Sequence, residues 1–309
     1  MFIPVALART LEYESTLLNA TVRLLLEECG CAPKPGTRVL VKPNLVTRAN
    51  AGLSCTHPLV VRSVCEQLLE RGALITVADS PAFGSAAQVA RACGLANALR
   101  PLGLRVESLG RPEPMRLSFG GEIGLSRTAR DAELIVSIPR LKAHAQMRVT
   151  CAVKNLFGCV TGWRKAVAHA VHGDQGNHFP ALILDVAAAL PPVITLLDAI
   201  RPMHCTGPVK GEPFELGLLA TCEDPVALDT AIYGLLGLKT ADVPLWVEAA
   251  QRGLPGATPE RLSYPLETPD SFNATGFLLP DKLDPQTFHP VRLARGRLRS
   301  LLHRLGLGR

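Results

Sequence analysis

Short polar segments follow apolar runs at several places in the chain. Val39–Val41 runs into Lys42-Pro43-Asn44, Leu74–Ala78 into Asp79-Ser80-Pro81, and Leu134–Ile138 into Pro139-Arg140-Leu141-Lys142-Ala143-His144. Val193–Leu197 runs into Asp198, and Leu216–Ala220 leads slightly later to Asp224-Pro225 and Asp229. A lysine ammonium is a compact charge that points at a phosphate or carboxylate and gives up its proton when buried; a guanidinium does not replace it in that chemistry. A histidine close by moves protons near neutral pH, and carboxylates orient the lysines or a metal. On those grounds Lys142, His144, Lys154 and Asp79 are candidate catalytic residues. Lys42, Asn44, Asn155 and Lys165 are candidate ligands of an anion, with Asp198, Asp229 and His169 as orienting groups. The turn His204-Cys205-Thr206-Gly207-Pro208 either brings the backbone of Gly207 up to a ligand or is simply a turn.

Lysine usage sharpens the first group. The chain has 25 arginines and only eight lysines, and four of the eight fall at positions 42, 142, 154 and 165. Where a surface cation is usually supplied as arginine, a lysine in these segments reads as chosen for its chemistry. The alternative is that some of them cap helices or form salt bridges.

The stretch from Lys142 to His178 is the densest, with Lys142, His144, Lys154, Asn155, Lys165, His169, His172 and His178. Thr150 is placed to cap a short helix through Phe157, ended by Gly158 and Gly162, from which Lys154 and Asn155 would project. His169 and His172 share a helix face at i, i+3 spacing but lack the flanking Glu of an HExxH metal site, so a polar face is the simpler reading. No CxxC and no ferredoxin-type cysteine spacing occurs, and the Rossmann fingerprint, the P-loop and the GxSxG elbow are absent. Nine scattered cysteines read as reduced thiols of a cytoplasmic protein, most of them small buried hydrophobes.

The elements that must carry these residues alternate. Leucines at positions 17, 18, 24, 25 and 26 mark a helix over Glu14–Glu28; Thr56 with Pro58 opens another that ends at Gly72; Ser85 opens a third, closed by Gly94. Phe179–Leu190 and Val226–Leu236 continue the series, and Ile3–Leu7 adds a further apolar run. The pattern predicts an α/β fold with a mostly parallel sheet covered by helices. In such sheets ligands bind beyond the carboxyl ends of the strands, so the polar segments are expected to converge on one rim. Residues 1–253 are expected to form this core, residues 254–290 a looser Pro- and Gly-containing extension, and residues 291–309 a basic amphipathic helical tail.

Composition closes off several classes. With 309 residues and 47% hydrophobic content the chain builds a sizeable core, which excludes disordered and low-complexity proteins. The run Val186–Leu197 is too short for a membrane helix, and MFIPVALART lacks the basic leader of a secretory signal. The net charge of +6 resides in residues 290–309, which hold Arg292, Arg295, Arg297, Arg299, Arg304 and Arg309 and no acid. A neutral body is not that of a nucleic-acid binder. In the tail, Leu298, Leu301, Leu302 and Leu305 form one stripe and Arg292, Arg295 and Arg299 another, a pattern that suits docking on the body or on a second subunit, or contact with anionic lipid.

The motifs VLVKPNLV (39–46), THP (56–58), the run around DSP (72–81), PRLKAH (139–144), VTCAVKNLFGCVTGWRKAVAH (149–169), LLDAIRPMHCTGPVKGEP (196–213) and EDPVALD (223–229) resemble, in this order, domain-of-unknown-function family 362. Many of its members carry an attached ferredoxin-like cluster; this chain has no cysteines of that spacing, so the resemblance implies a redox role where a partner protein supplies the centre or the scattered cysteines build one. The glycine-and-lysine loop is also similar to that of the nickel-pincer lactate racemases, which implies a phosphate-bearing cofactor at an α/β rim. Taken together, an enzyme of oxidoreductase or isomerase type with a Lys/His/Asp rim, acting on a small anionic molecule with a metal ion or phosphate-bearing cofactor, is the expected function. A redox accessory protein and a non-catalytic ligand-binding module are the alternatives.

Overall fold

The computed structural model describes residues 2–81, 84–161 and 177–284. Lys165, His169, His172 and the tail beyond residue 284 lie outside the described residues. Most strands belong to one ten-stranded sheet. Its members used below are β1 (Ala6–Arg9), β2 (Arg38–Pro43), β3 (Leu74–Asp79), β4 (Val106–Ser108), β5 (Leu134–Ile138), β6 (Arg140–His144), β7 (Arg148–Thr150), β8 (Val193–His204) and β9 (Leu218–Cys222). The parallel core runs in the order β4-β3-β2-β5-β8. From β2 the chain winds outward to β3 and β4, then returns to lay β5 on the other side of β2, so a topological switch point lies between β2 and β5.

Strand alternation builds two cores. Leu40, Ile135 and Leu197 face one side of the sheet, with Phe157, Phe179, Leu182 and Tyr233. Val39, Val41, Val136 and Leu196 face the other, against Leu18, Val22, Val60 and Val64. The helices on the second side are α1 (Ser15–Glu28) and α2 (Pro58–Glu70); the first side carries α3 (Ala152–Leu156), α4 (His178–Ala188) and α5 (Pro225–Leu235). The sheet is buried on both faces, as a parallel sheet requires.

The structure corrects the expected elements in four places. Residues 140–144, read as a loop, form β6: Pro139 interrupts the ladder for one residue and the chain then continues between β8 and the antiparallel β7. The run expected at Leu216–Ala220 is β9, and it pairs antiparallel to β8 from Thr195↔Cys222 to Ala199↔Leu218. The connection decides the direction: a parallel neighbour is reached by a crossover, usually a helix, whereas residues 205–217 hold no helix and fold back so that Glu212–Pro213 already pairs antiparallel with the end of β8. The apolar run at the start is split, with Ile3–Pro4 pairing Leu262–Ser263 and β1 pairing β9. Finally, His57 rather than Thr56 caps α2: its ring nitrogen accepts from Leu59 N–H at 3.4 Å, and Pro58 takes the first helical position.

Residues 254–284 consist of short turns and extended segments. Ala257, Leu262 and Phe272 are buried, Trp246 donates its indole N–H to Ala257 O at 2.8 Å, and Asp284 N–H reaches Ala145 O at 2.8 Å, next to His144.

Candidate functional site

At the switch point the carboxyl ends of β2, β3 and β5 and the beginning of β6 hold a continuous polar cluster. Lys42, the last residue but one of β2, is fully buried and pairs with Asp79 at the end of β3, Nζ to Oδ1 2.8 Å. The same ammonium donates to Asn155 Oδ1 and to Pro43 O, both at 3.2 Å. Its three N–H groups are thereby taken. Asp79 in turn accepts Leu45 N–H on Oδ2 at 2.7 Å. Asn155 is the hub: its amide nitrogen donates to Ser137 Oγ on β5 at 2.9 Å, and its oxygen also accepts from Asn44 Nδ2 at 3.0 Å.

Lys142, on β6, completes the cluster from above. Its Nζ donates to Asn44 Oδ1 and, at 2.6 Å, to Ser54 O. Only 1% of the residue is exposed. Burial lowers its pKa to about 7; the field of the Cys55 thiol opposes that change, and the cations Arg140 and Lys42 add to it. As a neutral amine, Lys142 has two N–H groups, both satisfied, and a lone pair that neither bond uses. Cys55 is drawn below the usual thiol range, chiefly by a hydrogen bond from Cys93, and the Lys142 charge adds to that.

His144, two residues on, is buried, and its Nδ1 accepts from Gln146 N–H at 3.1 Å and Met147 N–H at 3.2 Å. The ring is therefore a neutral imidazole with its proton on Nε2. Burial and, next, the charges of Lys154 and Lys142 hold its pKa well below the usual range. The Lys154 ammonium lies 4.7 Å from the centre of the Phe157 ring and 5.6 Å from that of Phe179, a cation–π seat on the first-side core.

Two of the orienting carboxylates stand elsewhere. Asp198 is bound to Arg140, Nη1 to Oδ2 2.5 Å, and accepts from Tyr13 OH at 2.9 Å and His57 N–H at 2.9 Å. It serves arginine, not the lysines, because β8 carries it to the start of β6 rather than to the carboxyl end of β2. Tyr13 stacks on His57, centroids 3.5 Å apart, and burial pulls the His57 pKa down to about 4. Asp229 sits one turn inside α5 and accepts Ala152 N–H at 2.6 Å, Val153 N–H at 3.3 Å and Tyr233 OH at 3.1 Å. It supplies the cap that Thr150 was expected to give; the residue before α3 is Cys151, whose side chain makes no capping bond. Asp229 thus sets the helix that presents Lys154 and Asn155, and burial raises its own pKa to about 7. Gly207 lies against β6: a Cβ there would overlap the carbonyl of Ala143.

Residues 39–234 match the family model described as a domain of unknown function, DUF362. Over 297 residues the chain is 38% identical to a thylakoid-associated protein of Synechocystis, spanning 94% of this chain and 92% of that one. The chain belongs to the DUF362 family. Among solved structures this DUF362 protein is similar to the lactate racemase apoprotein of Thermoanaerobacterium thermosaccharolyticum, at 13% identity and a TM-score of 0.47, over 72% of this chain and 55% of that one. A Thermotoga maritima structure is similar at 14% identity and a TM-score of 0.43, over 69% of this chain and 55% of that one. The DUF362 chain thus spans about half the length of each of these two structures.

The cysteines of this DUF362 protein do not suit the iron–sulfur cluster that the family resemblance suggests. All nine are free, and the one metal-capable group among the described residues, His204, Cys205 and Glu212, holds a single thiol. No helix among the described residues is long and apolar enough to cross a membrane.

Sequence reasoning passed over several residues that shape the site. Gly158 was read as a helix end, yet a Cβ there would overlap the end of Lys42 and stand 2.6 Å from Asp79 Oδ1. Thr56 links β2 to β5, accepting Asn44 N–H at 2.8 Å and donating to Ile138 O at 2.5 Å. Arg140 stood inside the PRLKAH motif, where its burial was the missing clue; Tyr13 and Ser54 gave no signal at all.

Proposed function

We propose that this protein is an enzyme that performs acid–base or amine chemistry on a small anionic molecule at the carboxyl rim of its sheet, with Lys142 as the reacting group. The observation that carries the reading is the state of the Lys142 amine: buried, held by two acceptors, and left with one valence that the fold does not use. A buried lysine is costly, and perturbed titratable groups at a switch point are where α/β enzymes keep their chemistry. Lys42, with every N–H committed, positions Asp79 and Asn155. Lys154 supplies charge for a carboxylate or phosphate, and His144, with Nε2–H, is the proton donor on the same strand as Lys142. A phosphate-bearing cofactor would find its cation in Lys154. In a thermal-shift screen, phosphate, pyrophosphate, nucleotides and small dicarboxylates are added to the wild type and to Lys142→Met. Binding stabilises by RT ln(1 + [L]/Kd), about 2.7 kcal/mol at a hundredfold excess over Kd. A shift in the wild type that the variant loses supports the reading; no shift with any anion, or equal shifts in both proteins, overturns it.

The thylakoid association named for the relative supports a second element. We propose that the chain works at a membrane surface as a peripheral protein, with the arginines of residues 290–309 facing anionic lipid. Co-sedimentation with anionic vesicles, lost on truncation at Pro290 and weakened by salt, is the expected result. Absence of binding together with a truncation-sensitive oligomer would assign the tail to subunit docking instead.

A further inference from the structure

We propose that His204, Cys205 and Glu212 form a site for a divalent metal of zinc type, separate from the lysine cluster. One donor atom from each residue lies within 4.8 Å of the others. Nitrogen, thiolate sulfur and carboxylate oxygen together match a borderline-soft ion such as zinc; calcium and magnesium take oxygen ligands. Thiolate and carboxylate supply two negative charges, which balance the dication, and a fourth, open position is left for water.

The backbone places the donors before any metal arrives. His204 ends β8 and is the register partner of Glu212 in the antiparallel pairing of β8 with Glu212–Pro213, so two ligands face each other across one ladder step. Between them the chain turns tightly: a Cβ at Gly211 would overlap the carbonyl oxygens of Thr206 and His204. Cys205 stands at φ 66°, a left-handed conformation that a residue with a Cβ rarely adopts, and its N–H is tied to Leu278 O at 2.8 Å. The His204 ring lies between Phe214 and Phe277, at centroid distances of 5.3 and 5.8 Å, and its one hydrogen bond, from Leu278 N–H, is long at 3.3 Å and yields readily when a metal sets the tautomer. Among the described residues neither the Cys205 thiol nor the Glu212 carboxylate has a hydrogen-bond or ion-pair partner.

The site is distinct from the rim. His204 follows Met203, the register partner of Lys142, and strand alternation turns its side chain to the opposite face. A metal there would fasten the two ends of the 205–211 turn, whose Gly207 rests on Ala143, to each other.

The test uses the full chain, reduced and stripped with a chelator, then titrated with cobalt(II) and followed by absorption. One equivalent is expected to produce a thiolate-to-cobalt charge-transfer band with the visible bands of tetrahedral cobalt, bleached by zinc. Cys205→Ser removes the charge-transfer band. Glu212→Gln, at an exposed position where folding is not at risk, weakens binding at least about tenfold, the lower end of what even an outer-shell change costs. No thiolate band in the wild type, or a band unchanged in Cys205→Ser, overturns the proposal.

Discussion

Replacing Lys142 with methionine keeps an unbranched stem in place of the four methylenes and removes the amine with its charge. The lysine titrates at about 7 in the folded protein and at 10.5 as an unperturbed group. At about 1.4 kcal/mol per pH unit, that gap corresponds to a ceiling of roughly 5 kcal/mol for holding the ammonium in the cluster. The depressed value means that above pH 7 the folded state releases a proton which the unfolded chain still binds. Stability therefore rises with pH between about 7 and 10.5, with the full cost present below that window. Between pH 7 and 8.5 the wild type should gain about 1.5–2 kcal/mol by this route. The methionine variant has no such gain. It is instead shifted by a constant amount: relief of the charge offset by two orphaned acceptors, Asn44 Oδ1 and Ser54 O, at about 1–3 kcal/mol each. Cys55 titrates in the same direction, since its thiol is drawn below the usual range, so both proteins are compared in a Cys55→Ala background. Removing that thiol lowers the lysine further and widens the window. The assay is urea unfolding at half-unit steps from pH 6.5 to 8.5. Parallel profiles for lysine and methionine would show that the amine is not desolvated, and the assignment of Lys142 as the reacting group would go with it.

Other substitutions probe the supports. Gly158→Ala drives a methyl into the Lys42–Asp79 pair and should cost about 3–5 kcal/mol in chemical denaturation, the cost of breaking a buried ion pair; a loss under 1 kcal/mol would mean that α3 can move away. Asp229→Asn removes a carboxyl whose pKa is raised to about 7, so the decline in wild-type stability as pH rises from about 4 to 7 should flatten, while any anion-dependent thermal shift weakens because α3 loosens; an unchanged pH profile would refute this. Arg140→Lys cannot reach Asp198, Tyr13 OH and Arg201 O together and should lose about 2–4 kcal/mol in urea unfolding; a loss under about 1 kcal/mol would show that the guanidinium fork is not needed there.

Much of the site was legible because apolar runs of the right length announce buried parallel strands, and the residues just past them must stand at the carboxyl rim. Lys42, Asn44, Asp79, Lys142 and Asn155, drawn from four separate motifs, meet for that reason. What the pattern could not show was pairing. A Pro between an apolar run and a polar-looking segment reads as the end of a strand, yet here β5 and β6 are one path with a single step missing, and that path takes Arg140 to Asp198. The apolar run of β9 carries no mark of its direction; the helix-free return from β8, through Glu212–Pro213 paired on it, decides it. Asp229 was picked out by its position after that run, but its task depends on α3, more than seventy residues earlier in the chain, being left with uncapped N–H groups.

The path across Pro139 also sets where this chain can change length. In β6 the polar residues Arg140, Lys142 and His144 alternate with Leu141 and Ala143, and all five are buried. A strand has a repeat of two, so one residue gained or lost after Ile138 would exchange the two sets wholesale. Lysine and arginine would enter the apolar layer that holds Leu141, and leucine would face Asn44 and Asp198. The spacing from Ile138 to Gln146 is thus a frame that substitution can edit but insertion cannot. The hairpin Pro112–Ser126, with its exposed Gly120-Gly121 tip, is the opposite kind of segment, one where added residues meet only solvent.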